Sequence, residues 1–147
     1  MPDILHRIAV KSAPDETYRA LATREGLARW WTTDTRGESQ SGGVLQFRFG
    51  ERGGFDMKVL ENEPRKRVLW QVVSGPAEWL GTKVSFELRP EGDYTVVLFE
   101  HQGWREPSVF MHHCSTKWAT FLMSCKQLLE QGKGAPYPDD VHISETD

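Results

Sequence analysis

The chain has 147 residues, which suffices for one domain with a hydrophobic core. Its formal net charge of -3 gives no general attraction to nucleic acid or anionic membranes, and its composition, 38% hydrophobic and 27% charged, excludes a disordered chain. No apolar stretch approaches the roughly 20 residues that span a bilayer, and the charged N-terminus lacks a signal-peptide pattern, so we expect a cytoplasmic protein with no membrane span.

The N-terminal part predicts one strand followed by two short helices. Residues Ile4–Lys11 alternate between apolar and polar side chains, as a half-buried strand does. Pro14 suits the first turn of a helix, and Thr23 is a suitable N-cap for a second helix over Arg24–Trp31. Residues 32–43 are polar and contain glycine, so they predict a loop.

Five further strands follow, joined by short turns or loops. Alternation places apolar side chains on one face of four of them: Leu45, Phe47 and Phe49; Phe55, Met57 and Val59; Val68, Trp70 and Val72; Val84, Phe86 and Leu88. The fifth strand, Tyr94–Gln102, is apolar on both faces, so the pattern alone does not assign its inner face. Because the connections are short, neighbouring strands must pair antiparallel.

The last predicted element is a long helix over Ser108–Gln131. Its apolar residues recur at steps of three and four and form one broad stripe: Met111, Cys114, Trp118, Phe121, Leu122, Cys125, Leu128 and Leu129. Such a stripe needs a large apolar partner, which we expect to be a sheet that curls around the helix. The two cysteines would lie about 16 Å apart on this helix, too far for a disulfide, and indicate small core residues in a reducing compartment.

This order of elements predicts an α+β fold. A curved antiparallel sheet of six or seven strands would wrap around the long C-terminal helix, with two short helices after the first strand. We expect one domain over residues 1–135 and a C-terminal tail over residues 136–147. The tail either lies over the surface through Tyr137 or is loose.

Several short phrases resemble the START-like superfamily, also called SRPBCC or helix-grip proteins. Within it, the chain is similar to homologues of the activator of heat-shock-protein-90 ATPase. The residues that carry the resemblance span most of the chain: Ala13, Pro14 and Tyr18; Gly26–Trp31; Gly42 and Gly43; Val59, Leu60, Glu61 and Pro64; His101, Gln102, Gly103 and Trp104; Leu129 and Gly132. The resemblance implies the helix-grip fold with a cavity between sheet and C-terminal helix.

The resemblance also implies several functions. Members of the superfamily bind lipids, plant hormones or polyketides in the cavity, and some catalyse cyclisation. The eukaryotic co-chaperones of the group carry an additional N-terminal region that contacts the chaperone, whereas this chain starts directly at the fold. We therefore do not expect the family name to describe the function.

Our main hypothesis is the binding of a small apolar or aromatic molecule between sheet and helix. The residues expected to line the site are Trp31, Phe47, Met57, Trp70, Met111, Cys114 and Trp118. The alternative for each is solid core, since well-packed interiors leave few voids. Trp30, Trp31 and Trp104 are candidates for the cavity mouth or for packing the short helices on the sheet. If Trp118 lines a cavity, Trp118→Ala should reduce ligand-dependent stabilisation more than folding stability.

Two other function classes are alternatives. A cyclase- or hydrolase-like enzyme would use Glu100 or His101 as an acid or base in the same cavity, although neighbours on a strand point to opposite faces. A co-chaperone-like interaction module would need an apolar outer sheet face, and most predicted outer positions are polar. We expect no cofactor and no metal, because His112, His113 and Cys114 diverge around a helix. A homodimer is the commonest default assembly.

Overall fold

One antiparallel sheet and a long C-terminal helix dominate the fold in the computed structural model, which describes residues 1–147. The elements are β1 (Ile4–Val10), α1 (Pro14–Ala22), α2 (Arg24–Ala28), β2 (Asp34–Gly37), β3 (Val44–Arg48), β4 (Gly54–Glu63), β5 (Arg67–Ser74), β6 (Lys83–Glu91), β7 (Tyr94–Gln102) and α3 (Val109–Gln131). The strand order in the sheet is β1-β7-β6-β5-β4-β3-β2, and every pairing is antiparallel. The predicted α+β helix-grip fold is confirmed.

The sheet has seven strands because the predicted loop over residues 32–43 contains β2. This strand has only four residues and lies at the sheet edge, where it pairs with β3 and places Thr35 opposite Phe47. Its sequence, Asp-Thr-Arg-Gly, carries no apolar alternation, which is why the pattern indicates a loop. Short polar edge strands of this kind limit edge-to-edge association.

Capping residues define the ends of the helices, and Thr23 caps α2 as its sequence predicts. The Thr23 side chain accepts a hydrogen bond from the Gly26 backbone N–H, and Ser108 Oγ accepts one from the Met111 N–H at 3.1 Å. Gly132 ends α3 in a left-handed conformation with φ of 86°, which favours glycine because it has no Cβ. None of the three α-helices has the length and apolar character that crossing a bilayer requires.

The sheet bends around α3, and its inner face forms the core with that helix. The β4–β5 pairing contains register shifts between Asp56 and Met57 and between Val59 and Glu61, and irregularities of this kind bend a strand and increase its twist. Contacts with α3 settle the inner face of β7: the Phe99 ring lies 4.5 Å from that of Trp118.

Candidate functional site

A cavity of about 620 Å³ lies between the first half of α3 and the sheet. Its wall combines the β3–β4 turn, the β5–β6 loop, α3 and the C-terminal tail. Eight of its lining residues are aromatic: Trp31, Phe49, Phe55, Trp79, Phe110, Trp118, Phe121 and Tyr137. The volume falls in the range of about 300–1,000 Å³ that is common for sites that bind small molecules.

The rings of the aromatic wall pack against each other. The Phe55 and Trp79 rings stack nearly in parallel, with centroids 4.0 Å apart and planes 9° apart. The centroid of the Trp118 ring lies 4.8 Å from that of Trp31 and 6.0 Å from that of Trp79. All three tryptophans are buried, so each belongs to the core and also lines the cavity. Ring pairs at these separations add to the stability that comes from burial alone.

The C-terminal tail closes one side of the cavity. The Tyr137 backbone N–H donates to the Trp31 carbonyl at 2.8 Å, and the Tyr137 carbonyl accepts from the Thr33 N–H at 3.2 Å. The Tyr137 ring meets the Phe49 ring at 5.4 Å. Of the two arrangements that the sequence leaves open, the structure therefore has the tail laid over the surface through Tyr137.

An ionic cluster with little exposed side-chain surface holds the rest of the tail against α3. The Lys117 ammonium lies 2.6 Å from Asp140 Oδ2, 2.8 Å from Asp147 Oδ2 and 2.6 Å from the Val141 carbonyl. The side chains of Lys117, Asp140 and Asp147 are 17%, 6% and 4% exposed. Burial by itself raises the pKa of Asp147, but hydrogen bonds from Lys117 and two backbone N–H groups outweigh it and lower that pKa below its usual range.

His101 lies behind the aromatic wall and connects three parts of the fold. Trp118 Nε1–H donates to His101 Nδ1 at 3.1 Å, so the imidazole proton is assigned to Nε2, which donates to Thr82 Oγ1 at 2.8 Å. The Thr82 hydroxyl in turn donates to the Trp79 carbonyl at 2.6 Å. Burial lowers the pKa of His101 to about 3, so the ring is neutral at physiological pH. This network fixes the positions of Trp118 and Trp79.

Three of the seven predicted ligand-binding residues line the cavity: Trp31, Cys114 and Trp118. The other four, Phe47, Met57, Trp70 and Met111, do not. Trp31 covers Phe47 and Trp70. The centroid of its ring lies 4.3 Å from that of Phe47 and 6.2 Å from that of Trp70. Met57 is fully buried, and Met111 is half-buried against the core. Trp31 therefore separates the deeper inner face of the sheet from the cavity.

The other candidate residues lie outside the cavity lining. His101 is fully buried with both ring nitrogens hydrogen-bonded, and the Glu100 carboxylate accepts a hydrogen bond from the Gln102 side chain at 2.8 Å. Trp30 is buried and donates to the Ala20 carbonyl, and Trp104 is buried beside His101. All four are absent from the cavity wall.

The histidine and cysteine residues of α3 are spread over different surroundings. His112 is exposed, with Nδ1 2.7 Å from the Ser108 carbonyl, and the His113 ring stacks on Phe110 at 6.4 Å. No group of three or more His, Cys, Asp or Glu side chains is arranged to hold a metal ion. Both cysteines are free, and burial raises the pKa of each thiol to about 12.

Several lining residues escape the sequence patterns: Trp79, Phe110, Lys117, Tyr137, Asp140 and Asp147. Trp79 is a large aromatic residue in a loop that contains glycine and proline. Binding residues often lie on loops, so this position is a signal for a functional role. Lys117 adjoins Trp118 on a helix whose first turns carry no other lysine, and the tail is acidic. A pairing between this helix lysine and the acidic tail is one that composition suggests, although periodicity does not reveal it.

A curved antiparallel sheet that grips a long C-terminal helix defines the START-like, or helix-grip, class of protein. Residues 11–130 match the family described as Activator of Hsp90 ATPase homolog 1-like protein. The chain belongs to this family, which confirms the resemblance seen in its sequence phrases. A search of curated proteins found no match to the sequence.

Solved structures agree with this assignment. The Aha1 dimer from Colwellia psychrerythraea, determined in solution, is 45% identical over 91% of this chain and 100% of that chain, with a TM-score of 0.84. The protein MLL2253 from Mesorhizobium loti is 21% identical over 87% of this chain and 96% of that chain, with a TM-score of 0.76. CalU16 from Micromonospora echinospora is 20% identical over 97% of this chain and 74% of that chain, with a TM-score of 0.78. The last two show the shared fold alone.

Proposed function

We propose that the protein binds a small apolar or aromatic molecule in the cavity between α3 and the sheet. The fold and the family are consistent with ligand binding or with a helper function, and the aromatic cavity of about 620 Å³ favours the first. The proposed contact residues are Trp31, Cys114 and Trp118, joined by Phe55, Trp79 and Phe110.

The wall supports tight binding because it is already assembled. Burying apolar ligand surface contributes about 25 cal/mol per Å² removed from water. Rings that already stack on each other and contact the His101 network lose little conformational freedom when a ligand binds. The entropy cost of ordering side chains is therefore small. Polar groups at the tail side of the cavity would set the orientation of the ligand.

The neutral fluorescent probe N-phenyl-1-naphthylamine tests this proposal. We expect it to bind the purified protein with a rise in emission and to raise the melting temperature. Native mass spectrometry of protein purified from its own host should show a retained small molecule. The probe should compete with that molecule for the cavity. Failure of the probe to bind to the ligand-free protein would overturn the proposal.

Two phenylalanine substitutions on α3 locate the binding. Cys114→Phe adds a ring inside the cavity, whereas Thr116→Phe adds the same ring on the exposed side of the helix. The first is expected to weaken probe binding by about five- to 150-fold, since seating both rings would cost about 1–3 kcal/mol, as in an overpacked site. The second should leave it unchanged. Equal binding by both variants would place the probe elsewhere.

We also propose that the protein forms a homodimer, as the Colwellia psychrerythraea relative does. The 45% identity over 91% of this chain supports the transfer of that property. Light scattering coupled to size exclusion should give twice the 16.8 kDa of the chain at micromolar concentration. A mass equal to that of one chain across the accessible concentration range would contradict it.

A further inference from the structure

The face of α3 that meets the cavity contains one histidine. The helix residues in the lining recur at steps of three and four, so they share one face: Phe110, His113, Cys114, Lys117, Trp118 and Phe121. His113 is half-buried and lies between Phe110, one turn before it, and Lys117, one turn after it. The planes of the His113 and Phe110 rings are 7° apart. This stack places the imidazole in the cavity wall.

His113 differs from the other four histidines in its hydrogen bonding. His6, His101 and His112 hydrogen-bond within the protein, and His142 is exposed. Neither ring nitrogen of His113 has a hydrogen-bond partner in the protein. A ligand that covers this ring takes water away from its nitrogens, and a polar group that loses water without gaining a partner costs free energy. His113 therefore favours a ligand that can hydrogen-bond with it.

The charged side chains of the lining balance each other. Arg52 and Lys117 are positive, and Asp140 and Asp147 are negative. Lys117 is paired with both aspartates, while Arg52 is exposed, so water already solvates its charge. No charge in the lining is left without a partner or water, so the cavity favours an uncharged ligand.

We propose that the ligand is an uncharged aromatic molecule with a hydroxyl group on its ring, and that this hydroxyl donates a hydrogen bond to His113. The inference rests on the proposed function and specifies its ligand class. A phenolic hydroxyl suits this place because one nitrogen of an uncharged imidazole accepts a hydrogen bond in either tautomer. The aromatic wall then buries the ring of the ligand, and His113 orients it together with the polar groups at the tail side.

Two probes that share one naphthalene ring isolate the donated hydrogen bond. 2-Naphthol carries a hydroxyl, whereas 2-methoxynaphthalene keeps the oxygen but has no hydrogen to donate. His113→Phe retains a ring beside Phe110 and removes both nitrogens. We expect it to weaken 2-naphthol binding by about two- to twelvefold, the range for one neutral hydrogen bond, and to leave 2-methoxynaphthalene binding unchanged. Displacement of N-phenyl-1-naphthylamine at pH 7 gives both affinities, once the affinity of that probe is known for each variant.

Two further variants test whether His113 is the acceptor. His112→Phe makes the same change at the adjacent exposed residue and should leave the binding of both probes unchanged. The Tyr137 hydroxyl is the other candidate partner in the lining, and it lies against Gly50, where an added Cβ would come within 2.6 Å of its oxygen. Tyr137→Phe should therefore keep the effect of the hydroxyl on probe binding.

The outcomes distinguish this inference from the proposed function. If His113→Phe changes the binding of both naphthalenes equally, or of neither, the hydroxyl inference is wrong while ligand binding in the cavity stands. The inference is also wrong if His112→Phe or Tyr137→Phe weakens 2-naphthol selectively and His113→Phe does not. If neither the naphthalenes nor the fluorescent probe bind, both proposals fail.

Discussion

Replacing Trp118 with alanine is expected to lower the free energy of unfolding by about 3–5 kcal/mol. Trp118 is 2% exposed, packs on Trp31 and Phe99, and donates to His101. Its removal would leave a cavity in the core and an imidazole nitrogen without its donor. Urea denaturation followed by circular dichroism gives the measurement.

Trp118→Phe is the matched control for this substitution. It keeps an aromatic ring but removes the Nε1–H that donates to His101, so the expected loss is smaller, about 1–3 kcal/mol for an unsatisfied buried acceptor. If Trp118→Ala costs no more than Trp118→Phe, packing of this ring contributes little. Because Trp118 has both roles, we expect folding stability and ligand-dependent stabilisation to fall together, so Cys114 gives the cleaner test of the cavity.

Acidification is expected to destabilise the fold through His101. The pKa of its ring is lowered to about 3 by burial, whereas an unfolded chain binds the proton near the usual value of 6.5. A lowered folded-state pKa means that stability is fully present above pH 6.5 and is lost as the pH falls toward 3. Between pH 7.5 and 5 the free energy of unfolding should fall by about 2 kcal/mol, at 1.36 kcal/mol for each unit of pKa difference that is titrated.

His101→Gln provides the non-titrating comparison. Glutamine keeps a donor and an acceptor but does not bind a proton in this range. The variant should be less stable at pH 7.5 and should show a much smaller change between pH 7.5 and 5 in urea denaturation. An unchanged pH dependence would show that the destabilisation comes from other groups.

The fold follows from local sequence patterns to a large extent. The apolar stripe of α3, the alternation in four strands and the caps at Thr23, Ser108 and Gly132 all depend on residues close together in the chain. β2 shows no strand pattern in the sequence because an edge strand needs no apolar face. The inner face of β7 depended on contacts with α3, which its own composition does not encode.

The cavity was less predictable because its wall depends on contacts between distant segments. Two of the residues named from the sequence, Cys114 and Trp118, lie in this wall on the long helix. The sequence does not show that Trp31 would cover Phe47 and Trp70, since this depends on the chain path after α2. The pairing of Lys117 with Asp140 likewise depends on the tail folding back.

The C-terminal tail forms part of the cavity wall but lies outside the residues that match the family. The family match covers residues 11–130, whereas Tyr137, Asp140 and Asp147 lie beyond it and still form one side of the cavity. The tail contributes no strand to the sheet and no turn to α3. Under the proposed function, substitutions there would alter which molecules the cavity accepts and would leave the sheet and α3 in place. Under that proposal, relatives with the same sheet and helix residues would be free to diverge in ligand preference through their last few residues alone.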